Sequence, residues 1–123
     1  MKILVVDDIE EYLNSLENAL KGEYEILKAR NLNDAKSIAT KEQRLNVAIV
    51  DIRLSEEDPS NKDGLVFLEW LKMNYSEVKV VMMSAYKEFD LAVDSLNLGA
   101  EYFLKKPINL VELNGILKTL LKK

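Results

Sequence analysis

Residues 3–8 read ILVVDD, four apolar residues ending in two adjacent carboxylates, Asp7 and Asp8. An unbroken apolar run of that length predicts a strand buried on both faces. The two acids at its exit stand at the lip of a core, where like charges are poorly screened. Either something neutralises them or the chemistry of the protein requires them.

The pattern recurs outward from this strand. VAIV at 47–50 and VKVVMM at 78–83 predict two more buried strands, and YEILK at 24–28 and YFL at 102–104 two less apolar ones. Between them apolar residues recur at three- and four-residue spacing. One stripe is Ile9, Tyr12, Leu13, Leu16 and Leu20; a weaker one over 32–41 rests on Ala35, Ile38 and Ala39. Leu65, Leu68, Leu71 and Trp70 form a third, and Leu91, Val93, Leu96 and Leu98 lie in a fourth helical segment. Leu110, Leu113, Leu117, Leu120 and Leu121 line the last. Asn109 with Glu112 three residues on reads as a capping box with Asn in place of Ser or Thr. Asp63-Gly64 and Leu98-Gly99 punctuate the start of one helix and the end of another. Five strands alternating with five helices predict an α/β domain: a parallel sheet, helices on both faces, right-handed crossovers. The one irregular stretch is LSEEDPSNKDG at 54–64, acidic and without a large apolar residue after Leu54. It reads as a solvated surface loop, or more sharply as a lid or partner contact beside the strand ends.

Composition narrows the function. A chain of 123 residues, 48% apolar and 31% charged, suits one soluble domain with a real core. The net charge is −4 and no basic stretch interleaves with aromatics, which argues against direct nucleic-acid binding. No apolar run approaches a membrane span and the start lacks a signal-peptide core, so the cytoplasm is the expected compartment. There is no cysteine and no histidine. That removes disulfides, thiolate nucleophiles, the usual zinc sites and His-dependent triads. Covalent chemistry falls to carboxylates, hydroxyls and lysines.

In an open parallel sheet, ligands bind beyond the carboxyl ends of the strands where strand order reverses. Asp7 and Asp8 end the first strand and Asp51 ends the third. With those strands adjacent, three carboxylates converge. Two unit charges about 4 Å apart repel by roughly 4 kcal/mol at an effective dielectric of about 20. A hard divalent cation relieves this, and Mg²⁺ fits an all-oxygen set best. Asp8 alone can also be read as the cap of the next helix, but capping does not account for Asp7 and Asp51. VVMMSA delivers Ser84 to the end of the fourth strand, and YFLKKP delivers Lys105 or Lys106 to the end of the fifth. Singly, such a Ser is commonly a cap and such a Lys solvated. Together with the acids they suit phosphoryl transfer: a carboxylate nucleophile, with hydroxyl and ammonium to meet phosphoryl oxygens.

Over Ile3 to Leu121 the chain resembles the receiver domain of two-component response regulators. The matching pieces, in order, are VVDD, VAIVDIRL, DGL, MMSAY and GAEYFLKKPI. The resemblance implies a flavodoxin-like three-layer sandwich with strand order 2-1-3-4-5 and a single receiver domain over 1–123. It implies that Asp51 accepts a phosphoryl group, that Asp8 binds Mg²⁺ directly, and that Asp7 assists through water. The Arg53 backbone carbonyl would serve the same ion. Ser84 would bond a phosphoryl oxygen, and Lys106, followed by Pro107 in what the family holds as a cis bond, matches the family lysine. Phe103 occupies the aromatic switch position, and Arg53 and Tyr86 match positions that modulate loss of the phosphoryl group. Two departures stand out: Leu54-Ser55 replaces the usual Met-Pro after the acceptor, with a longer loop following, and Phe103 lacks the hydroxyl of the commoner Tyr.

The implied role is a signalling switch that catalyses its own aspartyl phosphorylation and dephosphorylation, and not a turnover enzyme. Its phosphodonor would be a sensor histidine kinase, a phosphotransfer protein in a phosphorelay, or a small phosphodonor. Its output would pass from the fourth helix, fifth strand and fifth helix to an effector domain, a separate protein or a second receiver in a phosphorylation-dependent homodimer. Three other readings compete. A receiver-like module that binds without phosphorylation is the main one. A hydrolase of the aspartyl-phosphate type commonly places an acid two residues past the nucleophile, where this chain has Arg53. A flavin-binding protein of the same fold needs a Ser/Thr/Gly-rich phosphate cradle that the loops lack.

Overall fold

The computed structural model describes residues 1–42, 44–85 and 89–122. Strands and helices alternate along them: β1 Lys2–Val6, α1 Glu10–Leu20, β2 Glu25–Ala29, α2 Leu32–Lys41, β3 Leu45–Asp51, α3 Asp63–Asn74, β4 Lys79–Ser84, α4 Phe89–Asn97, β5 Tyr102–Lys105 and α5 Leu110–Leu120. All strand pairs are parallel and the sheet runs β2-β1-β3-β4-β5. The expected flavodoxin-like order is the one found.

Side chains alternate across a strand, so each buried run feeds two cores. Ile3, Val5, Val47, Ile49, Val81, Met83 and Leu104 meet the leucines of α1 and α5 on one face. Leu4, Val6, Ala48, Val50, Val80 and Met82 meet α2, α3 and α4 on the other. That is why the three purest apolar runs carry no alternation in the sequence: both faces of the sheet are covered.

Several helix ends are held by side chains. Asn31 caps α2 and Asn109 caps α5, each accepting from the backbone N–H three residues on, at 2.8 Å and 3.0 Å. Beyond α4, Gly99 takes φ +105°, the left-handed conformation open to glycine. Lys72 near the end of α3 donates to the Val78 carbonyl at 2.9 Å and pairs with Glu101 at 2.5 Å, tying the helix to the starts of β4 and β5.

Gly64 lies inside the first turn of α3, not ahead of it as the sequence suggested. Its N–H donates to the Ile52 carbonyl at 2.9 Å. A β-carbon there would fall 2.7 Å from Ile52 Cα and 2.8 Å from the Asp51 carbonyl carbon, with the Asp51 carbonyl oxygen nearer still. Only glycine lets α3 start this close to the end of β3. The intervening loop is organised by Asn61, whose Oδ1 accepts from both Leu54 N and Asp63 N at 3.0 Å. Leu54 is buried, whereas residues 56–60 are exposed.

The helical stripes need correction in detail. Phe67, absent from the expected stripe of α3, is fully buried and stacks on Trp70 with ring centroids 5.8 Å apart. Of the apolar residues counted toward the fourth and fifth helical segments, Val93, Leu96 and Leu110 are exposed.

Candidate functional site

Register brings the chemistry together. Val6 pairs with Val50, so Asp7 and Asp51 follow each other out of adjacent strands at the point where strand order reverses. Asp51 is opposite Met83, and Ser84 is opposite Lys105, which places Lys106 one residue beyond the sheet. Asp7, Asp51, Ser84 and Lys106 are the strand-end polar residues that are buried. The Lys106–Pro107 bond is cis, and Lys106 N donates to the Ser84 carbonyl at 2.8 Å.

Lys106 is the neutralising partner of Asp7 and Asp51. Its Nζ donates to Asp7 Oδ2 at 2.6 Å and to Asp51 Oδ2 at 3.0 Å. Lys105, the other candidate, has an exposed side chain. Among the described residues no buried side-chain polar atom lacks a hydrogen-bond partner. The charge is nonetheless uneven: Asp7, Asp8 and Asp51 each offer an oxygen within 4.8 Å of the others, against one ammonium. Such a set of hard oxygen donors with surplus negative charge fits a divalent cation of the Mg²⁺ class, and no nitrogen or sulfur ligand competes.

The three acids are not equivalent. Both Asp7 oxygens are engaged, Oδ2 by Lys106 and Oδ1 by the Ile9 N–H at 3.0 Å. Among the described residues only Oδ2 of Asp51 accepts, and Asp51 faces a cleft of about 250 Å³. Asp8 is half-buried on the same cleft, and its backbone carbonyl accepts from the Arg30 guanidinium at 3.1 Å. The capping role considered for Asp8 is not what the fold uses: Ile9 holds the cap position of α1 with no side-chain bond. Burial, with the Asp7 charge adding to it, pushes the Asp51 carboxyl up to about 7. Burial also raises Asp7. For Lys106 burial acts downward, but the charges of Asp51 and Asp7 outweigh it and the ammonium is held.

Ile9 at the cap of α1 and Tyr12 within it line the cleft, with Arg53, Ser55, Glu56 and Pro59. The acidic loop is thus solvated over residues 56–60, as the first reading of it had it, and also contributes to the cleft wall. Phe103 is half-buried on β5 opposite Met82, packed on the core shared with α3 and α4. Tyr86 lies outside the described residues. Tyr12 escaped the sequence reading, which assigned it to the core: its ring centroid stands 3.9 Å from Lys106 Nζ. The available signal was an aromatic with a polar tip among leucines, four residues past Asp8.

The sequence model of the response regulator receiver domain matches residues 3–118. The chain belongs to the response regulator receiver domain family. This receiver domain is 32% identical to sporulation initiation phosphotransferase F of Bacillus subtilis over 120 residues, 95% of this chain and 90% of that protein. It is 29% identical to the response regulator protein PilR of Pseudomonas aeruginosa over 98% of its own length but only 26% of PilR. The receiver domain thus spans about a quarter of that longer relative. Among solved structures it superposes on a response regulator receiver domain protein from Methanospirillum hungatei with TM-score 0.84 and 30% identity, covering 97% of this chain and 92% of that one. A response regulator protein from Burkholderia pseudomallei, solved with a phosphorylated aspartic acid, calcium ion and citrate, superposes with TM-score 0.81 at 26% identity, covering 98% and 66%. None of the described helices is long and apolar enough to cross a membrane.

Proposed function

We propose that the receiver domain over 1–123 is a cytoplasmic phosphoacceptor that takes a phosphoryl group onto Asp51. The observation that carries this is the pairing of Asp51 Oδ2 with a buried ammonium while the same carboxylate lines the cleft. An Asp51 oxygen attacks phosphorus in line, forming a P–O bond as the P–N bond of a donor phosphohistidine, or the P–O bond of an acyl phosphate, breaks. The leaving group carries off the electron pair of the broken bond. Lys106 shifts from Asp51 Oδ2 to a phosphoryl oxygen, and the Ser84 hydroxyl donates to another. Asp7, anchored by the Ile9 N–H, keeps the ammonium in place. Asp8, Asp51 and the Arg53 carbonyl would hold Mg²⁺, with Asp7 acting through water, and the ion would supply charge neutralisation for the phosphoryl oxygens. The Burkholderia pseudomallei relative, with its phosphorylated aspartic acid and calcium ion, supports this reading.

Arg53 and Tyr86 then modulate how long the aspartyl phosphate lasts. The switch follows from Ser84 being drawn inward, which opens room for Phe103 and alters the α4-β5-α5 surface. Phosphorylation shifts that balance only by its differential interaction with the two states. The upstream partner is a sensor histidine kinase or phosphotransfer protein, and the downstream one an effector domain, an effector protein or a second receiver. The domain is a switch and not a turnover enzyme. Incubation with acetyl phosphate and Mg²⁺ is expected to add the mass of one phosphoryl group, and Asp51→Ala to abolish it. An unmodified wild-type mass would favour a module that acts by binding alone.

A further inference from the structure

Lys106 Nζ carries three N–H donors. Two are taken, by Asp7 Oδ2 at 2.6 Å and Asp51 Oδ2 at 3.0 Å. The ammonium also lies over the Tyr12 ring, with 3.9 Å between Nζ and the ring centroid. That is well inside the roughly 6 Å range over which an aromatic face attracts a cation. Tyr12 is half-buried on α1 and lines the cleft beside Ile9. It projects from the second half-turn of a helix whose other stripe residues, Leu13, Leu16 and Leu20, are buried in the core.

We propose that Tyr12 is a positioning residue for phosphoryl transfer: its ring shields the Lys106 ammonium from water and lets it slide from Asp51 to the incoming phosphoryl oxygen. This rests on the reading of Asp51 as acceptor. A ring face attracts a cation without fixing a lone-pair direction, so the ammonium can change acceptors without leaving the ring. A carboxylate or amide at position 12 would instead bind it in one geometry and compete with the phosphoryl oxygen. An aliphatic side chain would fill some of the space and supply no attraction for the charge.

The test compares Tyr12→Phe and Tyr12→Leu in the full chain, with two readouts. The first is the rate of phosphorylation by acetyl phosphate with Mg²⁺, followed by intact mass. The second, with no phosphodonor present, is reductive methylation of Lys106 relative to the exposed lysines, mapped by peptide mass. Tyr12→Leu is expected to slow phosphorylation about three- to tenfold and to raise Lys106 methylation by a similar factor. Tyr12→Phe, which keeps the ring face, is expected to stay within about twofold of wild type in both. Should the Leu variant lose its cooperative urea transition, Tyr12→Met replaces it with the same expectations. Unchanged phosphorylation in a folded Leu or Met variant overturns the positioning role, as does a Phe variant as slow as either. If wild type itself accepts no phosphoryl group, the acceptor reading fails, and the methylation ratios alone decide whether Tyr12 shields Lys106.

Discussion

At position 8 the charge balance of the site can be probed one residue at a time. Asp8 shares a 4.8 Å cluster with Asp7 and Asp51, but the Lys106 ammonium bonds only the other two. Removing its charge relieves repulsion from Asp7 and Asp51. Asp8→Asn is therefore expected to raise metal-free stability by about 1 kcal/mol, less than the bare Coulomb figure because Asp8 is half-exposed. Millimolar Mg²⁺ is expected to raise the wild-type melting temperature, and that increment to vanish in Asp8→Asn along with phosphorylation. Thermal unfolding in EDTA and in Mg²⁺ checks both. The acids were legible in the sequence because capping accounts for one carboxylate after a buried strand, not for three at two strand ends. Lys105 and Lys106 were not separable from strand pattern alone, since strand ends are uncertain by a residue and a slip of one reverses the side chain. Tyr12 was hidden for a related reason: at helical spacing an aromatic that packs and one that meets a cation look alike.

The third helix shows how an element can be held to the chemistry by what it lacks. Gly64 donates to the Ile52 carbonyl while its α-carbon sits against the Asp51 backbone. A methyl group there meets main-chain atoms, which cannot swing aside as a side chain would. Gly64→Ala is expected to cost about 3 kcal/mol, at the upper end for overpacking, because β3 or α3 must shift. Urea unfolding measures it, and a loss below about 0.5 kcal/mol would mean that the close approach is not retained in solution. The sequence marked Gly64 as punctuation, since glycine beside aspartate usually is. The tertiary reason, one backbone passing another, has no local signature. Strand count, helix count and order were legible because two buried faces demand apolar runs and amphipathic stripes demand spacing. The exposure of Val93, Leu96 and Leu110 was not legible, because spacing says which residues share a face, not whether anything covers it.

For the molecule as a whole, the buried acids make folding stability depend on pH. Asp51 has an ordinary value of 3.8 and is pushed up to about 7 by burial and by Asp7. Between those values the folded chain holds a proton that the unfolded chain has released, so stability falls as pH rises. The contribution is fully present below about pH 4 and gone above about pH 7; Asp7, raised likewise, acts in the same direction. Lys106, raised from 10.5, stays charged in both states across this window and leaves the slope alone. In EDTA the wild-type stability is expected to decline from pH 4 to pH 7 relative to Asp51→Asn, which lacks the titrating group. Urea unfolding of the two proteins over that range gives the difference, and parallel profiles would contradict the assignment. None of this was readable from the chain, because it depends on how little water reaches three side chains from separate strands. The segment after β3 is clasped at its root, by Gly64 on Ile52 and by Asn61 on Leu54 and Asp63. Residues 56–60 hang outside that clasp. Substitutions there are expected to leave the start of α3 in place while reshaping the cleft wall to which Glu56 and Pro59 contribute.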